Sequence, residues 1–413
     1  MKKKLTGLLL VLTLAVGALT SCVSLGGTGN ANGSEFNGTI NVEGGPNYGD
    51  INITSTAEKN LLAASKALLS SVSIRCKFRE GGSLYGSSAE ETYSAGSGVI
   101  YKLDKNKGDA YIITNYHVVY NAKANTANRI SDEINVFLYG KEMTTAGGKN
   151  YAIPAKYVGG SMSYDIAVLK VTASTVLMES NAVACDIADS DGVTILDTAI
   201  AIGNPGGVGI SATVGCINVD SEEISVRFET KNGSNTVSLR VMRTDAAVNS
   251  GNSGGGLFND SGELIGIVNA KDSDELVDNI GYAIPSNVAR AIADNAIYYS
   301  DGTVKRCLLG ITVGVNEYST SYDIETGKLH KLEEVIVTEL TQTSAVKGII
   351  KAGDIINHIT VDGVRNEVTR IHHVVDSMLY ARVGSEVTVN LTRNGVNMNL
   401  EIPITANMLT VSQ

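Results

Sequence analysis

The most constraining feature of this chain is a glycine-rich run around Ser253, which reads DAAVNSGNSGGGL over residues 245–257. A serine that attacks an amide needs a base to take its proton and donors to hold the oxyanion that forms. Gly251 has no side chain to block a substrate carbonyl, so its N–H is open to one. We therefore expect Ser253 to be a nucleophile. The expected oxyanion hole is the segment Gly251, Asn252 and Ser253, chiefly through the N–H groups of Gly251 and Ser253.

A base and a carboxylate stand upstream in a suitable order. The chain has five histidines, and His117 alone falls between the N-terminal leader and residue 300. It closes an apolar, β-prone run, which delivers a side chain to the rim of a sheet. Asp165 opens a second strand-like run, where a buried carboxylate would need a partner such as an imidazole N–H. The order His117, Asp165, Ser253 is that of chymotrypsin-type proteases and differs from subtilisin and the α/β-hydrolases.

Six separate motifs occur along the chain, at Gly96–Ile100, Thr114–Val119, Asp165–Lys170, Ala201–Gly206, Gly251–Gly255 and Gly281–Ser286. With these motifs, residues 59–410 resemble the HtrA (Deg) family, trypsin-like serine proteases followed by a PDZ domain. The resemblance implies a mostly β chain, with a chymotrypsin-like pair of six-stranded β-barrels followed by an α+β PDZ domain. His117 and Asp165 would come from the first barrel and Ser253 from the second. His117 would be the general base and later the acid, with Asp165 fixing its tautomer.

Two departures from digestive trypsins bear on activation and specificity. Asn252 replaces the aspartate that pairs there with a freshly cut N-terminus, so activation by propeptide cleavage is not expected. Ala247 replaces the aspartate of the trypsin pocket, so we expect cleavage after small or medium aliphatic residues. The strand 266–269 is predicted to pair with the substrate backbone, although a buried core strand explains the Ile265 and Ile267 side chains equally well. The predicted substrate-binding residues are Ala247, Ile267, Val268, Asn269 and Ile284.

The N-terminus predicts export. Three lysines at 2–4 precede a short apolar run at 8–16, as in a secretory signal, and the run is short for a membrane span. The following Leu-Thr-Ser-Cys resembles the bacterial lipobox, which implies cleavage before Cys22 and lipidation of its thiol. A plain secretory leader with an incidental cysteine is the alternative. We expect a signal peptide at 1–21, a Gly/Asn/Ser-rich tether at 22–58, and an extracytoplasmic, membrane-anchored lipoprotein of a bacterial envelope.

The predicted protease domain covers residues 59–300. An amphipathic helix over 57–70 is expected to lead into its first barrel. Residues 203–207 are expected to form a loop beside the oxyanion hole, and the polar stretch 271–279 a second loop at its rim. HtrA trimers are usually held by aromatic residues near the N-terminal helix, and none occurs between Tyr48 and Phe78, so a homotrimer is expected from the family alone.

The predicted PDZ domain covers residues 303–410. Leu308, Leu309, Gly310 and Ile311 resemble the loop whose N–H groups capture a peptide's C-terminal carboxylate, beside a strand that accepts the peptide by β-augmentation. His372 and His373 fall on the helix that flanks this groove, either contacting a ligand side chain or lying on a solvated face. Residues 317–331 form an insertion after the first strand of this domain, and the insertion is longer than expected for a PDZ domain.

Composition excludes some partners. The net charge of −10 argues against nucleic acid and against electrostatic binding to anionic lipid. Beyond Cys22, four scattered cysteines show neither metal-ligand spacing nor a disulfide framework, so free thiols are expected, with no metal or organic cofactor.

The sequence predicts a serine endopeptidase of the cell envelope that cleaves unfolded or signalling proteins in quality control. The alternative is a non-hydrolytic peptide receptor or chaperone-like binder on the same fold, which would not need a complete triad.

Overall fold

The computed structural model describes residues 55–81, 89–139, 151–207, 209–269 and 280–412. The predicted signal peptide, the lipidation site Cys22 and the loop 271–279 lie outside the described residues. In the part of the chain that is described, no helix has the length and apolar character needed to cross a membrane.

The chain enters the fold through α1 (Thr56–Leu68), which starts at a reciprocal capping box between Ser55 and Glu58. The predicted tether, 22–58, is therefore too long at its C-terminal end, because residues 56–58 are already helical. The buried Ala63 and Ala67 pack into the core of the second barrel.

Six strands close the first barrel in the order β1-β2-β3-β6-β5-β4. They are β1 (Ser71–Glu80), β2 (Glu90–Asp104), β3 (Asp109–Thr114), β4 (Glu133–Leu138), β5 (Ile153–Ser161) and β6 (Ile166–Val171). A short helix, α2 (Tyr116–Val119), follows β3, and α3 (Thr175–Met178) follows β6. Alternating apolar side chains from the strands, among them Ile74, Ile112 and Leu169, fill the interior.

Six further strands close the second barrel in the order β10-β11-β12-β9-β8-β7. They are β7 (Thr198–Gly203), β8 (Ser211–Thr230), β9 (Gly233–Thr244), β10 (Gly256–Phe258), β11 (Leu264–Asn269) and β12 (Gly281–Pro285). β8 and β9 form a long hairpin whose inner face buries Val226, Phe228 and Leu239. The predicted mostly β fold with two six-stranded barrels is confirmed.

A third, α+β unit follows α4 (Ser286–Tyr299). Its main sheet has the order β14-β15-β16-β18-β19, with β17 paired to β16, and a separate pair joins β13 to β20. The strands are β13 (Val304–Cys307), β14 (Ile311–Tyr322), β15 (Leu329–Leu340), β16 (Ile355–Val361), β17 (Val364–Glu367), β18 (Glu386–Arg393), β19 (Val396–Pro403) and β20 (Leu409–Ser412). One helix, α5 (Ile371–Met378), lies beside β14 and β16. Among the described strands, β14 pairs only with β15 and so leaves one edge free.

Ion pairs hold this third unit against the second barrel. Arg240 on β9 contacts Asp376 on α5 at 2.6 Å, and Arg370 contacts Asp220 at 3.1 Å. The predicted insertion at 317–331 extends the β14–β15 hairpin, and Lys328 near its tip reaches Asp197 at 2.6 Å. The contact surface encloses a cavity of about 300 Å³.

His372 and His373 line this cavity, so the expectation of a solvated helix face is wrong. Burial lowers the pKa of both imidazoles, and the nearby Arg240 lowers that of His372 further. The helical periodicity of α5 was readable in the sequence, but the surface that covers these side chains belongs to a barrel more than a hundred residues away.

Candidate active site

A short turn after β3 places His117. The Thr114 hydroxyl donates to the Ser97 carbonyl at 2.7 Å, which fixes the end of the strand. The Asn115 side-chain amide donates to the main-chain carbonyl of Asp165 at 2.9 Å, and the Tyr116 N–H donates to the same oxygen at 3.2 Å. These bonds hold the His117 segment against the segment that carries Asp165.

Asp165 lies between β5 and β6 with no exposed surface. Its Oδ1 accepts the backbone N–H of His117 at 2.9 Å, and its Oδ2 lies 2.7 Å from His117 Nδ1. Because a buried carboxylate is an acceptor, this geometry puts the proton of the neutral imidazole on Nδ1 and leaves Nε2 as an acceptor. The His117 side chain keeps 20% of its surface exposed, so Nε2 can face a reacting group.

Asn269, predicted to bind substrate, contacts Asp165 instead. It ends β11 with 2% of its surface exposed, and its Nδ2 donates to Asp165 Oδ2 at 2.9 Å. The sequence indicates that this amide is buried against a polar group, but it does not indicate which group. A polar amide that ends an otherwise apolar strand is buried only where it has a polar partner.

The loop of Ser253 packs directly on the end of β3. Ser253 is 5% exposed, and its carbonyl accepts the Ser97 N–H at 2.8 Å. Gly254 has φ +82°, and a Cβ there would stand 2.2 Å from the Thr114 hydroxyl and 2.3 Å from the Ser97 carbonyl. Only glycine fits this approach. The structure thus brings the serine loop of the second barrel against the strand that leads to His117 in the first.

One amide of the loop is free for an oxyanion. The Ser250 carbonyl accepts the Gly206 N–H at 2.9 Å. The carbonyl and N–H of a trans peptide point in opposite directions, so the N–H of Gly251 points away from Gly206, and it has no hydrogen-bond partner among the described residues. The Asn252 N–H donates to the Asn249 carbonyl at 2.9 Å. Asn252 is therefore wrong as a predicted oxyanion donor, because its amide is already used within the turn.

The side chains of the predicted substrate strand are buried. Ile267 and Val268 have no exposed surface, and Ile284 keeps 2%. The Val268 N–H donates to Gly255 at 2.8 Å and its carbonyl accepts from Gly254 at 2.9 Å. The side chains of Ile267 and Ile284 therefore do not line an open pocket, and Val268 has no backbone group left for a substrate. The core-strand interpretation is the correct one for Ile267.

Ala247 stands at a more suitable place for a specificity pocket. It is exposed, and its carbonyl accepts the Thr213 hydroxyl at 2.9 Å. The adjoining Val248 is half-buried and faces Gly281, where a Cβ would stand 2.7 Å from Val248 Cγ2. The wall at this point is apolar and close to the backbone of β12.

The predicted carboxylate loop of the third unit has two unused amides. The N–H of Leu308 is not available to a ligand, because it donates to the Met408 carbonyl at 2.8 Å. Leu309 is buried and Gly310 has φ +71°. Neither the Leu309 nor the Gly310 N–H has a hydrogen-bond partner in the described part of the chain. Ile311 then begins β14 with its free edge.

The four described cysteines, Cys76, Cys185, Cys216 and Cys307, are unpaired. The prediction of free thiols is met, although only Cys76 and Cys307 are fully buried. Asp191, His372 and His373 bring their polar atoms within 4.8 Å of one another. The Thr369 N–H donates to His373 Nδ1 at 3.2 Å, so the neutral ring carries its proton on Nε2, the atom that faces Asp191. In this tautomer Nε2, which lies 3.7 Å from Asp191 Oδ2, carries a proton and offers no lone pair to a metal ion.

Comparison with known proteins agrees with this architecture. A family model described as the trypsin-like peptidase domain matches residues 96–267, and with the two closed barrels it puts the molecule in the class of trypsin-like peptidases. Serine protease Do-like HtrA of Bacillus subtilis is 35% identical over 337 residues, covering 78% of this chain and 67% of the relative. Serine protease Do-like HtrA of Lactobacillus helveticus is 34% identical, covering 77% and 70%. The chain belongs to the HtrA family of serine endopeptidases.

Two further proteins resemble this chain at lower sequence identity. Periplasmic serine endoprotease DegP of Escherichia coli is 33% identical over 79% of this chain, but the alignment spans only 60% of DegP. The solved structure described as HtrA-type protease AlgW with decapeptide is 26% identical and covers 87% of this chain and 99% of that one, with a TM-score of 0.49.

Proposed function

We propose that the protein cleaves polypeptides through Ser253, His117 and Asp165. The observation that carries this proposal is the bond between His117 Nδ1 and the buried Asp165 carboxylate, 2.7 Å long, beside the loop of Ser253. His117 Nε2 takes the Ser253 proton as the hydroxyl attacks the scissile carbonyl. Asp165 stabilises the imidazolium that results, and His117 then protonates the leaving amine. Water releases the acyl group from Ser253 by the same sequence.

The oxyanion is held by the N–H of Gly251, with that of Ser253 as the predicted second donor. Support for Gly251 comes from its peptide orientation, since the Ser250 carbonyl is drawn toward Gly206. A donor fixed in advance stabilises the developing charge without reorganising during the reaction.

The proposed specificity is for small or medium aliphatic residues before the cut. The exposed Ala247 and the close approach of Val248 to Gly281 leave an apolar wall, and the described residues place no buried charge there to pair with Lys or Arg. Aliphatic side chains of this size become exposed when proteins unfold. The proposed targets are therefore unfolded or signalling proteins of the envelope, and the proposed role is protein quality control.

The third unit is proposed to be a PDZ domain that binds C-terminal peptides. Two features of the described residues support it: β14 has one edge that pairs with no described strand, and the amides of Leu309 and Gly310, directly before that strand, have no described partner. A peptide that adds to β14 would bring its carboxylate to these amides.

Export and lipidation of Cys22 are proposed from the leader alone. The relative DegP is described as periplasmic, and an extracytoplasmic place for this chain is in keeping with that. A homotrimer is proposed from family membership and has no support of its own in the described residues.

The test compares the full chain without its leader with its Ser253→Ala variant on reduced casein. Cleavage sites are read by mass spectrometry. The proposal predicts cuts after Val, Ala or similar residues, and a rate about 10⁶-fold lower in the variant. A folded wild-type protein that binds peptides but cuts nothing would instead identify a non-hydrolytic receptor.

A further inference from the structure

One hydroxyl of the first barrel bonds to two separate loops of the second barrel. Ser97 lies on β2 and is 1% exposed. Its Oγ donates to the Gly251 carbonyl at 2.7 Å and accepts the Asn204 N–H at 2.9 Å. Because the Asn204 N–H can only donate, the proton of the hydroxyl is directed to Gly251. The Ser97 side chain is thus a fixed donor to the loop that carries Ser253.

The backbone of Ser97 contacts the same loop at further points. Its N–H donates to the Ser253 carbonyl at 2.8 Å. A Cβ at Gly254 would stand 2.3 Å from the Ser97 carbonyl, and one at Gly255 would stand 3.2 Å from Ser97 Cβ. Ser97 therefore contacts the serine loop before, at and after the nucleophile, and only its hydroxyl reaches the part of the loop that comes before.

The hydroxyl fixes the peptide that follows the oxyanion donor. In the peptide between Gly251 and Asn252, the carbonyl accepts from Ser97 and the N–H donates to the Asn249 carbonyl at 2.9 Å. The preceding peptide carries the oxyanion donor, the N–H of Gly251. Gly251 has φ +98°, and a glycine passes between backbone conformations at little steric cost. Without a bond from outside the loop, these two peptides are free to turn together.

We propose that Ser97 is a positioning residue for the oxyanion hole, an inference that rests on the proposed function. Its hydroxyl holds the Gly251 carbonyl and thereby sets the direction of the Gly251 N–H. The hydroxyl does not contact the reacting atoms, since it is buried and both of its hydrogen bonds are to the protein. It acts through the backbone of Gly251.

The chemistry of the hydroxyl suits this role. A hydroxyl donates to one partner while it accepts from another. Alanine at this position would remove both bonds and leave the buried Gly251 carbonyl without this donor. The charge on the oxyanion develops only as the serine attacks, so a misdirected donor weakens the transition state more than the bound substrate. We therefore expect an effect on kcat and little effect on KM.

The test compares Ser97→Ala with Ser71→Ala. Ser71 begins the neighbouring strand β1, is 2% exposed, and donates through its hydroxyl to the Ala67 carbonyl at 2.9 Å. Each variant loses one buried hydroxyl of the first barrel, but only Ser97→Ala loses a bond to the serine loop. For Ser97→Ala we expect kcat on a peptide substrate to fall about tenfold to a hundredfold, with KM within about twofold of the wild-type value. Ser71→Ala should keep both within about twofold.

A transition-state analogue gives a second readout. A peptidyl trifluoromethyl ketone with valine at the reacting position forms a tetrahedral adduct with a serine and places an oxyanion in the hole, whereas the corresponding peptidyl alcohol does not. Ser97→Ala should weaken inhibition by the ketone by about the factor lost in kcat/KM and leave inhibition by the alcohol unchanged. Ser97→Cys carries a weaker donor and should give intermediate values. If Ser97→Ala does not fold, the comparison of Ser97→Cys with the wild-type protein decides.

A third measurement does not depend on catalysis. In chains that also carry Ser253→Ala, NMR follows the hydrogen exchange of the Asn252 amide, which reports whether its peptide keeps the bond to Asn249. We expect exchange about threefold to tenfold faster with Ser97→Ala and unchanged with Ser71→Ala. If exchange changes in this way while the wild-type protein shows no serine-dependent cleavage, the proposed function fails and the orienting role of Ser97 stands.

The proposal is overturned if Ser97→Ala and Ser71→Ala lose kcat equally, or if ketone and alcohol inhibition weaken together. It is also overturned if the exchange of the Asn252 amide is the same with and without the Ser97 hydroxyl. In each of these cases the hydroxyl merely stabilises the contact between the barrels.

Discussion

At the scale of single residues, the site depends on backbone conformations that most residues avoid. Asp165 has φ +48°, a left-handed conformation that aspartate tolerates better than most non-glycine residues. Two donors on its carbonyl, from Asn115 and Tyr116, stabilise this turn. The conformation lets the backbone of Asp165 anchor the His117 segment while its carboxylate bonds the imidazole.

Gly251 offers a sharper test at this scale. Its φ is +98°, and a Cβ there would stand 2.3 Å from the Asn204 carbonyl. Gly251→Ala should turn the peptide and remove the oxyanion donor, lowering kcat about 10²–10³-fold with little change in KM. Steady-state cleavage of a peptide substrate measures this. Gly192→Ala is the matched control, because a Cβ at Gly192 meets nothing within 4 Å. An equal loss in both variants would contradict the assignment.

The residues of the triad could be predicted because each has a local sequence pattern. Glycines surround the serine, and the histidine and aspartate stand at the ends of β-prone runs. Asn252 and Asn269 could not be assigned correctly in the same way. Whether an amide N–H is free or already bonded depends on the fold of the turn. Which strand ends meet across two barrels depends on contacts between segments a hundred residues apart.

At the scale of elements, α5 is the part whose environment differs most from expectation. Its His372, His373 and Asp376 face Arg240 and Asp191 of the second barrel, and Arg370 precedes the helix. Burial raises the pKa of Asp376 to about 6, against the opposing effect of Arg240. The helix thus joins the two parts of the chain through buried ionisable groups whose pKa values differ from those of the unfolded chain.

Stability should therefore fall as the pH drops below about 6.5. The lowered pKa of His372 and His373 means that the unfolded chain takes up protons there while the folded chain does not. Each histidine contributes up to about 1.4 kcal/mol per pH unit. Asp376, protonated more readily in the folded chain because burial raises its pKa to about 6, offsets part of this loss between that pH and the ordinary pKa of an aspartate.

The measurement is the thermal unfolding midpoint between pH 7.5 and 5. The decrease of this midpoint with falling pH is expected to be shallower in His372→Gln than in the wild-type protein. Lys328→Gln is the control, since it removes the ion pair with Asp197 from the same interface without removing a histidine. It should lower the midpoint by a similar amount at each pH. An unchanged slope in His372→Gln would mean that His372 is solvated, contrary to the structure.

The start of helix α1, in contrast, has a local signal in the sequence. Ser55 and Glu58 have the spacing of a capping box, a signal that would have started the helix directly after Ser55 and ended the predicted tether there. The burial of His372 and His373 had no such local signal, because it results from docking of the third unit.

At the scale of the whole molecule, two barrels and an α+β unit are joined so that the candidate site lies at the seam of the barrels. Ser253 and Asn269 come from one side of that seam, and His117 and Asp165 from the other. This arrangement follows from the order of motifs in the chain, which is why the fold class could be predicted from family resemblance. The docking of the third unit through Arg240, Arg370 and Lys328 could not.

The most direct test of the account is covalent labelling of the full chain without its leader by a fluorophosphonate, with the modified residue identified by peptide mass spectrometry. A phosphonate of this kind reacts with a serine that an imidazole activates. The account predicts a single adduct on Ser253, lost in Ser253→Ala and slowed about 10⁴-fold or more in His117→Ala. Labelling of a different serine, or none in a folded protein that still cleaves casein, would contradict it.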